Sequence, residues 1–213
     1  MKARIGNCYV DGNVAIGFCD ALEETLIIPD GIVSIQENAF SEYYGLTTVE
    51  FPNSLKNIGD AAFDRCSNLR RIFLPENVTN VESTFLGGTF SECKQLVDVD
   101  LSKTKIKNLS GSMFWKCKNL QKVKLPPSLI KIGRNVFFEC TNLTSLELNE
   151  GLKIIECSFA DSKRLSILNI PKSVIHIEDL SYNEHIKTIV ISKEQYEAFK
   201  EYLPPKCKIL FKE

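Results

Sequence analysis

A chain of 213 residues is long enough for one large domain or one elongated array, and 44% hydrophobic against 25% charged residues is ordinary for a folded soluble protein. Its 26 basic and 27 acidic residues leave a net charge of −1, which argues against nucleic-acid binding through a basic stripe. No apolar run is long enough to cross a bilayer, and Met1-Lys2-Ala3-Arg4-Ile5-Gly6-Asn7-Cys8 lacks the apolar core of a signal peptide. The expectation is a chain that stays in the cytoplasm, or a piece of a longer protein whose leader has been removed.

Residues 1–21 predict an N-terminal cap. Cys8-Tyr9-Val10 and Val14-Ala15-Ile16 flank Asp11-Gly12-Asn13, a strong hairpin signal. Cys8 and Cys19 fall in the same segment, where a disulfide and two separate thiols both stay open.

Residues 22–191 carry one skeleton, seen most clearly in Ala62-Phe63-Asp64-Arg65-Cys66-Ser67-Asn68-Leu69-Arg70-Arg71-Ile72-Phe73-Leu74-Pro75. Its Phe slot holds Phe40, Phe63, Phe90, Phe114, Phe137, Phe159 and finally Leu180. Six residues later stands Leu46, Leu69, Leu96, Leu120, Leu143, Leu165 or Ile186. Six further on come Pro52, Pro75, Ser102, Pro126, Asn149, Pro171 and Ser192. A spacing held this way marks a repeat array, in which no single unit buries its own apolar face.

The alternating runs before the proline slot predict one short strand per coil: around Leu26, Val49, Ile72, Val99, Val123, Leu146-Glu147-Leu148, Leu168 and Ile189. Proline ends the strand because it cannot donate to a ladder. An apolar pair three residues apart follows, as in Leu55/Ile58 and Leu129/Ile132, and forms a return arm across the other face. Only this arm varies in length. Its long form carries Glu82-Ser83-Thr84-Phe85-Leu86-Gly87-Gly88, and insertions that respect a register map to loops on one face.

Cys66, Cys93, Cys117 and Cys140 share one slot with Tyr43, Ser162 and Asn183. That mixture is no metal-ligand set; the cysteines read as a buried column of small residues. Cys157 and Cys207 read as unpaired. Residues 192–213 predict a C-terminal cap. Ser192-Lys193-Glu194-Gln195 is a capping box, Tyr196, Phe199 and Leu203 share a helical face, and Cys207-Lys208-Ile209-Leu210-Phe211 is a closing strand.

The runs of Leu-x-x-Ile-x-Leu-Pro and the Ala-Phe-x-x-Cys turns resemble leucine-rich repeats, and within them the Treponema pallidum-type, or BspA-like, class. The resemblance covers roughly residues 22–192. It implies a leucine-rich-repeat solenoid, mostly β, with one short parallel strand per coil of about 23 residues. The common leucine-rich pattern has Asn or Cys where this chain has Ser54, Asn77, Thr104, Ser128, Gly151 and Ser173, so no continuous asparagine ladder is expected. Proteins of this class are mostly surface proteins of bacteria and protozoan parasites that bind host or matrix proteins. The resemblance therefore implies a cell-surface or secreted, adhesin-like module. An intracellular scaffold or regulator is the alternative.

Three surfaces are candidates for binding. The outward strand face presents Arg71, Phe73, Asp98, Asp100, Lys122, Lys124 and Glu147, either as a cross-strand charge ladder or as a partner site anchored by Arg71 and Phe73. The turn edge presents Trp115 and Phe138, with Phe85 and Leu86 of the long arm either folded over them or joining them in an exposed apolar patch. Asn77, Asn108 and Asn142 match the glycosylation sequon, but each overlaps the repeat consensus.

Catalysis is not expected. His176 and His185 occupy variable, outward repeat positions away from metal-ligand spacing. No glycine-rich phosphate loop or nucleophile turn is present. Lys122 and Lys124 beside Asp98 and Asp100 favour neutralisation over a raised carboxyl pKa. No cofactor or metal is expected, and the partner is a protein bound by a monomer.

Overall fold

The repeat closes on itself through the segment around each Phe slot, and that segment decides how coils stack. The computed structural model describes residues 2–18, 23–84 and 87–213. Two residues before the Phe slot, Asn38, Ala61, Ser112 and Asn135 are left-handed, and two residues after it so are Glu42, Arg65, Glu92, Lys116, Glu139 and Asp161, with φ between 50° and 59°. A left-handed non-glycine residue costs about 1–2 kcal/mol. The return is a backbone ladder along the turn edge: the amide of Phe40 donates to Ala62 O at 2.9 Å, Phe90 to Met113 O at 3.0 Å, and Phe137 to Ser158 O at 2.9 Å.

Inside this edge the phenylalanines stand in one file. Ring centroids are 5.3 Å apart for Phe40–Phe63, 5.5 Å for Phe63–Phe90, 5.8 Å for Phe90–Phe114 and Phe114–Phe137, and 6.0 Å for Phe137–Phe159. Leu180 is buried in the same core. The cysteine column is buried as expected, and it also bonds. Each thiol donates to the carbonyl of the Phe slot one coil back: Cys66 to Phe40 O at 3.1 Å, Cys93 to Phe63 O at 3.3 Å, Cys117 to Phe90 O at 3.1 Å and Cys140 to Phe114 O at 3.2 Å. Ser162 does the same to Phe137 O with its hydroxyl. The slot thus accepts serine because its hydroxyl donates to the same carbonyl as the cysteine thiols do.

Strands run parallel on two faces. The strand face is built from Thr25–Ile27, Thr48–Glu50, Arg71–Phe73, Asp98–Asp100, Lys122–Lys124, Ile167–Asn169, Thr188–Ile191 and Lys208–Phe211. The return face is built from two-residue strands, Ser34–Ile35, Asn57–Ile58 and Asn80–Val81, then Asn108–Leu109, Lys131–Ile132, Ile154–Ile155 and His176–Ile177. Its ladder breaks between Val81 and Asn108, where the long arm leaves the register. That arm leans back onto the preceding coil: Thr84 donates from its amide and its hydroxyl to the Asp60 carboxylate at 3.0 and 2.9 Å.

One expected strand does not form. Leu146-Glu147-Leu148 alternates like the others and Leu146 is buried, yet 144–148 pairs with neither neighbour among the described residues. Asn149 stands where most coils have proline, and its amide ties this end to Pro127 O and Leu129 O of the coil before, at 3.3 and 3.2 Å. The strand-face ladder is also interrupted between Thr48–Glu50 and Arg71–Phe73.

The N-terminal element is larger than a hairpin. Lys2–Ile5, Cys8–Asp11 and Val14–Phe18 form an antiparallel meander turning at Gly6 and Gly12, both with positive φ. Its last strand pairs in parallel with Ser34–Ile35 and so extends the return face. Asn7 is buried and fastens the meander to the first coil, donating to Thr25 O and to the Glu23 carboxylate at 2.7 Å each. Cys19 lies outside the described residues. At the other end Ser192 and Gln195 form the capping box of the helix Lys193–Phe199. The Gln195 amide reaches Pro171 O and Val174 O at 2.8 and 2.9 Å, and Lys208–Phe211 pairs in parallel with Thr188–Ile191.

Candidate functional site

Register decides which side chains meet on the strand face. Asp98 lies opposite Arg71 on one side and Lys122 on the other; Asp100 lies opposite Phe73 and Lys124. All four pairs point outward because the residues between them, Ile72, Val99 and Val123, point into the core. Arg71, Lys122, Lys124 and Glu147 are exposed, Asp98 and Asp100 half-buried, and the Phe73 side chain is 53% exposed.

Of these, Asp100 is the one locked in place. Lys124 Nζ meets its Oδ2 at 2.6 Å, and the amide of Ser102 donates to Oδ1 at 2.9 Å. Partial burial pushes this carboxyl up, but the hydrogen bonds from Lys124 and Ser102 outweigh it and hold it at about 2. The ladder expected from sequence therefore exists for Asp100–Lys124. Lys122 makes no ion pair among the described residues, and Asp98 keeps a buried Oδ1 with no partner among them.

Two clefts open along the strand face, the first of them where its ladder is interrupted. One, of about 650 Å³, lies between Lys122, Val123, Lys124, Leu125 and the unpaired segment with Ser145, Glu147, Leu148 and Asn149. The other, of about 480 Å³, lies between Phe51, Phe73, Leu74 and Asp100, Lys103. The Asp100–Lys124 pair contributes one residue to each cleft and stands between them. Sequence reasoning missed both openings. Asparagine in the proline slot at 149 did not mark the first, since Ser102 stands in the same slot after a strand that pairs on both sides.

The turn-edge residues are a separate group. Trp115 and Phe138 are half-buried and stack at 6.2 Å with planes 19° apart, and Lys116 Nζ sits 3.9 Å from the Trp115 ring centre. Phe85 and Leu86 lie outside the described residues. Beside this group Arg65 gathers Glu42 at 2.9 Å and Asp64 and Glu92 at 3.7 Å, a solvated charge cluster.

The structure corrects the reading of one histidine. His176 is exposed, but His185 is half-buried, its Nε2 has no partner among the described residues, and burial pushes its pKa down. The column thiols are poor nucleophiles: burial raises Cys66 to about 12 and pushes Cys93, Cys117 and Cys140 well above the ordinary range. Among the described residues no group of three or more His, Cys, Asp or Glu is placed to hold a metal ion, and no helix is long and apolar enough to cross a membrane.

Comparison with known proteins agrees with this geometry. A leucine-rich repeat protein from Bacteroides ovatus superposes with a TM-score of 0.69 at 22% identity, over 89% of this chain and 54% of that one. One from Eubacterium ventriosum gives 0.74 at 25% identity, over 85% and 49%. The leucine-rich repeat protein of T. pallidum gives 0.50 at 33% identity, over 55% and 52%. The chain thus spans about half the length of these solved structures. A search of curated proteins finds no match. The family model of the BspA type leucine rich repeat region matches residues 15–114 and 84–189, with six copies. The chain belongs to the BspA-type leucine-rich repeat family.

Proposed function

We propose that this chain is a non-enzymatic protein-binding module, exposed on the cell surface or secreted, whose strand face grips a host or matrix protein. The observation that carries this is the exposed Phe73, beside Arg71 and the locked Asp100–Lys124 pair, on a face that two clefts interrupt. A half-exposed aromatic flanked by an arginine on rigid strands is the composition of an interface anchor.

Size supports using the clefts as well. Eight strands at about 4.8 Å make a face roughly 35–40 Å long, and three residues per strand make it about 10 Å wide. That is about 400 Å² of flat area, half of the ~800 Å² per partner of a standard interface. A partner held by this face must therefore fill the clefts or wrap onto an edge.

A second reading, an intracellular scaffold or regulator built on the same face, is favoured by the free thiols of Cys66, Cys93, Cys117, Cys140, Cys157 and Cys207. The test is binding of the purified chain to a panel of immobilised matrix and cell-surface proteins, with Phe73→Ala and Trp115→Ala alongside. The proposal expects at least one saturable binder that Phe73→Ala weakens by about tenfold or more. Binding that ignores Phe73→Ala removes the strand face from the account. No binder in the panel leaves the intracellular reading in its place.

A further inference from the structure

We infer that the cleft beside Phe73 receives a neutral sugar residue of a glycan, laid on the Phe73 ring and held through its hydroxyls by Asn53, Glu76 and Lys103. This rests on the strand face being the binding surface and names what one part of it holds.

The backbone at this cleft is already paired. Arg71–Phe73 is in register with Asp98–Asp100, and the Leu74 amide donates to Asp100 O at 3.2 Å. On the other side the Arg70 amide donates to Thr47 O of the coil before, also at 3.2 Å. A peptide finds no open edge here, so what the cleft offers is rings and side-chain tips.

Part of its lining is aromatic. Phe73 is exposed; Phe51 is half-buried and propped by Phe63 of the core file, edge to face at 5.8 Å. The face of a phenyl ring is electron-rich, whereas the C–H bonds on one side of a sugar ring carry slight positive charge, so the two surfaces attract and both leave water.

The rest of the lining is polar and uncommitted. Asn53, Glu76 and Lys103 stand at one repeat position, directly after the proline slot, on three successive coils. All three are exposed, and no side chain of the three makes a hydrogen bond or ion pair among the described residues. Together they present an amide, a carboxylate and an ammonium, hence donors and acceptors side by side, which is what hydroxyl groups need. Charge selects against other occupants. Asp100 is neutralised by Lys124, while Glu76 and Lys103 offset each other. A cation would meet Lys103, and an anion would meet Glu76 and Asp100. The volume of about 480 Å³ falls within the range of ligand clefts. The larger cleft beside Glu147 has no ring in its lining, so the same assignment does not extend to it.

The experiment is an array of neutral, sialylated and sulfated oligosaccharides probed with the whole chain clustered on streptavidin, since clustering strengthens a weak single-site contact. Neutral glycans should be retained. The best retained oligosaccharide, titrated by NMR against the whole chain, should show upfield shifts of the ring protons that lie over Phe73. Phe73→Leu keeps an apolar side chain but loses the aromatic face; it should abolish those shifts and weaken binding by about tenfold or more. Glu76→Gln and Lys103→Ala, both at exposed positions, should each weaken it by about fivefold or more. Column thiols that stay protected in every variant show an intact fold. Capture of a glycoprotein that falls after enzymatic deglycosylation places the sugar on a protein; retention of free polysaccharide alone places it on a polysaccharide.

Retention of no glycan, retention of sialylated or sulfated glycans alone, absence of the upfield shifts, or binding indifferent to both Glu76→Gln and Lys103→Ala would each overturn the inference. An array without retained glycans, together with a protein partner that is lost on Phe73→Ala and bound equally well after deglycosylation, would end it while leaving the strand-face reading standing.

Discussion

Gly88→Ala is expected to lower the unfolding free energy by at least about 3 kcal/mol, a large share of the ~5–15 kcal/mol that holds a typical domain. A Cβ at this position would stand 1.8 Å from Ser112 O and 2.3 Å from Ser112 C. Neither atom belongs to a side chain that could turn away. Ser112 is itself left-handed, with φ 59°, and its amide is bonded to Arg134 O at 2.9 Å. Moving it to admit a methyl group would strain that residue and loosen the next coil along the turn edge. Gly87→Ala is the control, since its nearest neighbour would be the Ala61 Cβ at an ordinary 3.7 Å; its cost should stay within about 1 kcal/mol. Urea midpoints of the two variants check this. Equal midpoints would mean that the long arm does not pass this close to the coil after it.

Phe114→Ala is expected to cost about 3–5 kcal/mol. Phe114 is fully buried in the middle of the file, 5.8 Å from the rings on each side and nearly parallel to both. Its carbonyl also receives the Cys140 thiol, so the space left by the ring lies beside a bond that joins two coils. Because a solenoid is stabilised mainly by contacts between neighbours, a gap at this point weakens the coupling between the two halves. The denaturant slope should fall together with the midpoint. Phe114→Leu should cost markedly less, because the last coil already uses Leu180 in that slot. A Phe114→Ala variant within about 1 kcal/mol of the parent would contradict the file as the core of the fold.

What could be seen in the sequence was what the repeat spacing controls. Phenylalanines at one slot had to form a file, and outward residues at matched positions on adjacent strands had to meet, as Asp100 and Lys124 do. Trp115 and Phe138 were readable as neighbours for the same reason. The hydrogen bond from each column thiol was not readable, because spacing shows that a side chain is inward but not which carbonyl lies opposite.

The left-handed turn residues were hidden too. Glu42, Arg65, Glu92, Lys116, Glu139 and Asp161 stand where glycine would have announced a positive φ. Lys2–Ile5 is exposed at every position, so it carried no alternation to read. The missing strand at 144–148 had the same alternating pattern as its neighbours. What sets it apart is hydrogen-bond geometry, to which an apolar pattern is blind. The first cleft follows from that geometry and was invisible with it.

Native-state thiol labelling, read residue by residue by mass spectrometry, tests the stacked-coil core most directly. The reactive species is the thiolate, and burial pushes the Cys66 thiol up to about 12, so it stays protonated at neutral pH even before steric exclusion is counted. Cys66, Cys93, Cys117 and Cys140 should stay unmodified until denaturant unfolds the chain, while the half-buried Cys157 and Cys207 react in the native state. Rapid modification of all four column cysteines in the folded protein would place that column in water and contradict the account.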